Sequence, residues 1–200
     1  MHIVVVPGFH SSSLTHAFLQ SMHPLLDKAW VVDSNRVPTY SPHHVLTLLH
    51  AEWEQLEAGR SNARDHCQTV LFIGFSAGVV GSIGAARQWQ AQGRQVRALI
   101  AFDGWGVPLY GNFPIHRVSH DSWTHWSSGG WGDTQASFYA DPPVNHLDLW
   151  RSPHMASGIR TDAKQFPSSF DSSSLKHDSQ PSETAASFVR SLLEYYQKQP

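Results

Sequence analysis

The chain has 200 residues, enough for one domain with a sizeable core. Its 40% hydrophobic and 15% charged content excludes a disordered chain. A net charge of −2 with histidine neutral, and the lack of any basic run, leave no footprint for nucleic acid or an anionic membrane.

His2 to Val6 is a β-branched run of strand length and reads as a buried central strand. It is too short for a signal peptide, and no other apolar run is long enough to cross a membrane. Pro7-Gly8-Phe9-His10 ends the strand. Ser11, Ser12 and Ser13 can then cap a helix running to about Lys28. Trp30 to Val32 is a second short strand. A helix after Pro42 carries Val45, Leu46, Leu49, Trp53 and Leu56 at amphipathic spacing. A polar connection over 59–66 leads to Cys67, the only cysteine, which excludes an internal disulfide and suits a reducing, cytoplasmic compartment.

Thr69 to Gly78 reads Thr-Val-Leu-Phe-Ile-Gly-Phe-Ser-Ala-Gly, and residues to Gln92 continue as a helix. This is a G-x-S-x-G pattern between strand and helix. So tight a turn strains the serine backbone, and Gly74 and Gly78 supply the room around Ser76. The amide of Ala77 then faces the place where an oxyanion would form. Further strands are expected at 96–102, ending in Asp103-Gly104, at 115–119, ending in His120-Asp121, and at 136–139. The last is followed by Asp141 to His146. Alternating strands and helices predict an α/β chain with a mostly parallel sheet of about six strands flanked by helices on both faces. Ligands bind beyond the carboxyl ends of such strands, where Ser76, Asp103, Asp121 and His146 all fall. Residues 157–181 are serine-rich with little periodicity and read as a surface excursion. Residues 184–197 form a final amphipathic helix, so that 1–200 is a single domain.

With these residues assembled, the chain resembles an α/β-hydrolase over roughly residues 1–155, in particular the small cap-less lipases. The likeness rests on the elbow at Ser76, the Pro-Gly-Phe-His loop after the first strand, and the order serine, acid, histidine. The resemblance implies a catalytic triad with Ser76 as nucleophile and His146 as base, His154 being the second choice. For the acid, Asp121 follows the penultimate strand and is preferred; Asp103, one strand earlier, is the alternative. The second oxyanion donor carries over onto the amide of Phe9, beside Ala77. The stretch between Phe102 and Ile115 is too short for a cap domain, so the site should be open.

Five of the eight tryptophans lie between Trp105 and Trp150, mixed with glycines in loops near the proposed site. Trp105, Trp123 and Trp126 are candidates for an apolar substrate cleft, together with His10 and with Phe75 beside the serine. Their alternative role is to anchor long loops on the sheet. His116, His120 and His125 could suggest a metal. On a strand, however, His116 and His120 share a face that Asp121 does not, and nothing nearby completes a ligand shell, so no metal is expected. The sequence therefore points to a hydrolase acting on a small-molecule ester or thioester without a cofactor. An acyltransferase on the same triad and a non-catalytic binding protein are the alternatives.

Overall fold

The computed structural model describes residues 1–58, 69–127, 135–161 and 183–199. These contain eight strands in one sheet, ordered β2-β1-β3-β4-β5-β6-β7-β8, and six helices. Strands β1 (His2–Val6), β2 (Trp30–Val31), β3 (Thr69–Phe75), β4 (Gln95–Phe102), β5 (Ile115–Ser119) and β6 (Ser137–Ala140) are the six read from the sequence. All of them run parallel. The helices among them are α1 (Ser12–Ser21), α2 (Pro42–Ala58), α3 (Ala77–Ala91), α4 (Ser122–Ser127) and α5 (His146–Arg151).

Two strands were not foreseen. β7 (Ser157–Thr161) pairs antiparallel with β6, and β8 (Glu183–Thr184) pairs antiparallel with β7. The start of the predicted surface excursion is thus the last strand but one of the sheet. Ser-Gly-Ile-Arg-Thr carries too little apolar alternation to announce a strand, because what holds it, half-buried, is backbone pairing between β6 and β8. Gly158 lies so close to β6 that a Cβ would come within 2.1 Å of the Tyr139 carbonyl oxygen. The rest of the excursion, 162–181, falls outside the described residues.

The sheet is buried on both faces, and strand alternation divides the core in two. Val4, Val6, Val70, Phe72, Leu99 and Ala101 face α2 and α3 through Val45, Leu49, Val79, Ile83 and Trp89. Ile3, Val5, Leu71, Ile73, Phe75, Ile100 and Phe102 face the other way. They pack on Phe18 and Met22 around α1, on Leu149 and Trp150 of α5, and on Phe188, Leu192 and Leu193 of α6 (Ala185–Lys198). Thr184 caps α6 through a reciprocal hydrogen-bonded pair with Ser187. Helix α1 stops at Ser21 rather than near Lys28. Pro24 has no N–H to continue it, and residues 22–29 proceed in turns instead.

β5 is more buried than its polar sequence suggests, all five residues being covered. Two of its polar side chains reach partners in neighbouring elements. His116 hydrogen bonds through its two ring nitrogens to the Ala136 carbonyl oxygen and the Tyr196 hydroxyl, and Arg117 donates from Nη1 to the His125 carbonyl at 2.7 Å. Among the described residues no helix is long and apolar enough to cross a membrane.

Candidate active site

The site is built at the carboxyl ends of β3, β4 and β5, where a parallel sheet offers its ligand rim. Ser76 directly follows β3, and Asp103 directly follows β4. Phe75 stands opposite Phe102 across these neighbouring strands, so the two side chains leave the sheet side by side. Ser76 and Asp103 have a left-handed backbone, with φ of 52° and 48°, and no other described non-glycine residue does. Such a conformation costs on the order of 1–3 kcal/mol and persists only where the surroundings enforce it. Here the sheet does so: the Ser76 N–H donates to the Phe102 carbonyl, and the Asp103 N–H to the Val118 carbonyl, each at 2.9 Å.

The turn is as crowded as the pattern implies. A Cβ on Gly78 would sit 2.2 Å from the Val6 carbonyl oxygen, and one on Gly74 would sit 2.7 Å from the Ser82 hydroxyl. The loop after β1 runs against the serine, since a Cβ on Gly8 would lie 3.0 Å from Ser76 Cβ. Phe9 therefore follows immediately beside the site. Ala77 opens α3, where a first-turn amide has no acceptor within its own helix. The two proposed oxyanion donors thus come from the two segments that flank Ser76.

His146 is the first residue of α5, not part of a free loop. Its Nδ1 lies 2.7 Å from Asp103 Oδ2. An ionised carboxylate can only accept, so Nδ1 carries the hydrogen and Nε2 is the basic nitrogen. The imidazole stacks on Phe75 with ring centres 4.7 Å apart. Phe75 stacks on Trp150 at 4.9 Å, and Trp150 on Phe18 at 3.8 Å. This column of aromatic rings through the core fixes the plane of the histidine.

The acid bound to His146 is therefore Asp103 and not the preferred Asp121. Asp121 Oδ1 accepts the backbone N–H of Thr124 at 2.6 Å, which makes it the N-terminal cap of α4. Its Oδ2 lies 3.4 Å from His120 Nε2. Position after the penultimate parallel strand misled here because the short helix α4 consumes the aspartate that begins it. His154 is exposed and does not line the site cavity.

Asp103 has a second histidine neighbour. His120 donates its backbone N–H to Asp103 Oδ1 at 2.9 Å, and its Nδ1 lies 3.0 Å from Oδ2. Burial alone would push the Asp103 carboxyl up. Its hydrogen bonds to His120 and His146 and the charge of His120 outweigh burial and hold it below the ordinary carboxylate range. The same contact, opposed by burial and helped by the charges of Asp103 and Asp121, raises His120 above the ordinary histidine value. The ligating atoms of Asp103, His120 and His146 all lie within 4.8 Å of one another. Sequence reasoning weighed His120 only with His116 and His125 as a metal candidate and set it aside; its place one residue past β5 was the signal for a site role.

A cavity of about 580 Å³ opens over these groups, lined by Ser76, Ala77, Asp103, His120, Asp121 and His146 on its polar side. Val80, Val107, Trp105 and Trp123 form its apolar side, the two indoles 6.0 Å apart and more than half exposed. The other predicted lining residues serve differently. Phe75 is fully buried beneath His146, and His10 packs its edge on Phe75. Trp126 leans on His125 and Tyr139 instead. Trp150 is core, and Trp131 lies outside the described residues. No protein-family model and no curated protein matches this chain.

Proposed function

We propose that this protein is a serine hydrolase of the α/β-hydrolase type, cleaving an ester or thioester with an apolar acyl or aromatic group. One observation carries this reading. The two left-handed residues of the rim are a serine on a strand–helix elbow and the aspartate that holds His146, and all three open into one cavity. The parallel order β2-β1-β3-β4-β5-β6 with helices on both faces is consistent with that fold family.

In the proposed mechanism Ser76 Oγ attacks the acyl carbonyl while His146 Nε2 takes its proton. Asp103 holds the imidazole through Nδ1 and stabilises the imidazolium as it forms. The amides of Ala77 and Phe9 meet the oxyanion. The C–O or C–S bond then breaks, His146 protonates the leaving group, and a water activated by the same histidine releases the acid. Trp105, Trp123, Val80 and Val107 take the apolar part of the substrate. Their exposure leaves the acyl-enzyme open to water, which favours hydrolysis over transfer to another acceptor. A small-molecule substrate, no nucleic-acid partner and a cytoplasmic location belong to the same proposal, the last on the single cysteine.

Intact-mass spectrometry after treatment with a fluorophosphonate tests it. The native chain should gain one adduct, and Ser76→Ala none. A native chain that stays unlabelled where a control serine hydrolase reacts would remove the hydrolase reading.

A further inference from the structure

We propose that Asp103, His120 and His146 form a site for one divalent transition-metal ion, zinc fitting best, and that filling it switches the serine site off. The metal-binding half stands on the geometry alone; the switching half rests on the hydrolase reading above.

Three donors from three separate elements converge on one point. Asp103 follows β4, His120 follows β5 and His146 begins α5. Asp103 Oδ2 is 2.7 Å from His146 Nδ1 and 3.0 Å from His120 Nδ1. In a tetrahedral zinc site with bonds of about 2.0–2.1 Å, neighbouring donors lie roughly 3.3 Å apart. The two contacts to Oδ2 must open by a few tenths of an ångström, and the histidine nitrogens, within 4.8 Å of one another, must settle to the same spacing. The set is crowded as a hydrogen-bond network. His146 Nδ1 and His120 Nδ1 compete for the same oxygen, Asp103 Oδ2, at 2.7 and 3.0 Å. A metal ion would take both nitrogens and the carboxylate oxygen at once.

The outer contacts point the same way. The His120 N–H holds Asp103 Oδ1, which aims Oδ2 at the histidines. Asp121 Oδ2 stands 3.4 Å from His120 Nε2, the carboxylate–histidine arrangement that orients a metal-bound imidazole. Two imidazoles and one carboxylate suit zinc, and offer too few oxygens for calcium or magnesium. The fourth position faces the cavity shared with Ser76 and is open to water.

The consequence for the serine follows from the tautomer. With the metal on Nδ1, a neutral His146 carries its hydrogen on Nε2. That nitrogen then has no lone pair to accept the Ser76 proton, and the Asp103 charge is committed to the ion. The nucleophile loses its base and the base loses its acid.

The test uses full-length protein without a histidine tag, stripped by a chelator, then titrated with zinc against a chromophoric chelator. One zinc per chain is expected. Its affinity should fall at least about tenfold in both His120→Gln and Asp103→Asn and be retained in Ser76→Ala. Melting curves establish that each variant is folded, and if Asp103→Asn is not, His120→Gln decides. No binding, or an affinity that His120→Gln leaves unchanged, overturns the site. For the switch, saturating zinc should slow fluorophosphonate labelling of the native chain at least about tenfold. The effect should reverse on chelation, and the ratio of rates with and without zinc should return to about one in His120→Gln. Binding at the site without slower labelling overturns the switch. An unlabelled metal-free chain overturns the hydrolase reading, and the switch with it, while the titration still judges the metal site.

Discussion

On the proposed mechanism, Asp103→Asn removes the group that sets the tautomer of His146, and its cost can be worked from the contacts. The carboxylate side chain is 2% exposed and faces three donors: His146 Nδ1, His120 Nδ1 and the His120 backbone N–H. Asparagine has one acceptor oxygen. If that oxygen keeps the backbone N–H, the new NH₂ points at His146 Nδ1. The imidazole must then accept there and carry its hydrogen on Nε2, where it cannot take the Ser76 proton. In a serine–histidine–acid triad this change costs about 10⁴-fold in kcat, or about 5.4 kcal/mol of barrier. Asp121→Asn should behave differently, because asparagine still caps α4 through the oxygen that accepts the Thr124 N–H. Its kcat should stay within a few-fold of native, and Asp121→Ala should lower stability by about 1 kcal/mol. The assay is initial-rate hydrolysis of a chromogenic aryl ester, with urea melts run in parallel. An Asp103→Asn enzyme that keeps most of its rate while Asp121→Asn loses most would refute the assignment.

Three further outcomes are expected. Trp150→Ala empties the middle of the aromatic column and should cost about 3–5 kcal/mol, read as a lower urea midpoint; a loss below about 1 kcal/mol would mean the column is not a structural element. Trp123 is 66% exposed, so Trp123→Ala should leave stability unchanged and raise KM for an apolar ester roughly three- to tenfold. An unchanged KM would take the indole out of the substrate cleft. His125 is pushed down to about 3 by burial first and the Arg117 charge second. Below pH 6.5 the unfolded chain therefore takes up a proton that the native one refuses, and stability falls until about pH 3. His120 has the opposite sign: its raised value adds stability that is complete below pH 6.5 and is lost as pH rises through the folded value. Urea midpoints against pH should show a flatter acid limb in His125→Gln and a loss confined to the acid side in His120→Gln; curves parallel to native would contradict both.

What the sequence by itself determined is local or periodic. The central strands β1, β3 and β4 follow from apolar runs, because burial on both faces demands them. The serine elbow follows from Gly74, Ser76 and Gly78, because that turn tolerates little else. His146 could be picked out because it follows a strand end. The rest needed the tertiary structure. β7 and β8 are held by backbone pairing to an edge, which leaves little trace in side-chain pattern. The acid was undecided because Asp103 and Asp121 both sit just past strand ends. Only the three-dimensional arrangement shows α4 claiming Asp121 as its cap, and the left-handed Asp103 turned toward His146. The metal-like cluster was invisible for the same reason. His116 and His120 looked like the natural pair along one strand, yet His116 turns to Tyr196. His120 finds its partners just past β4 and at the start of α5, 17 and 26 positions away in the chain. Sequence spacing reports neighbours along one element, whereas a site at the rim of a parallel sheet is assembled across elements.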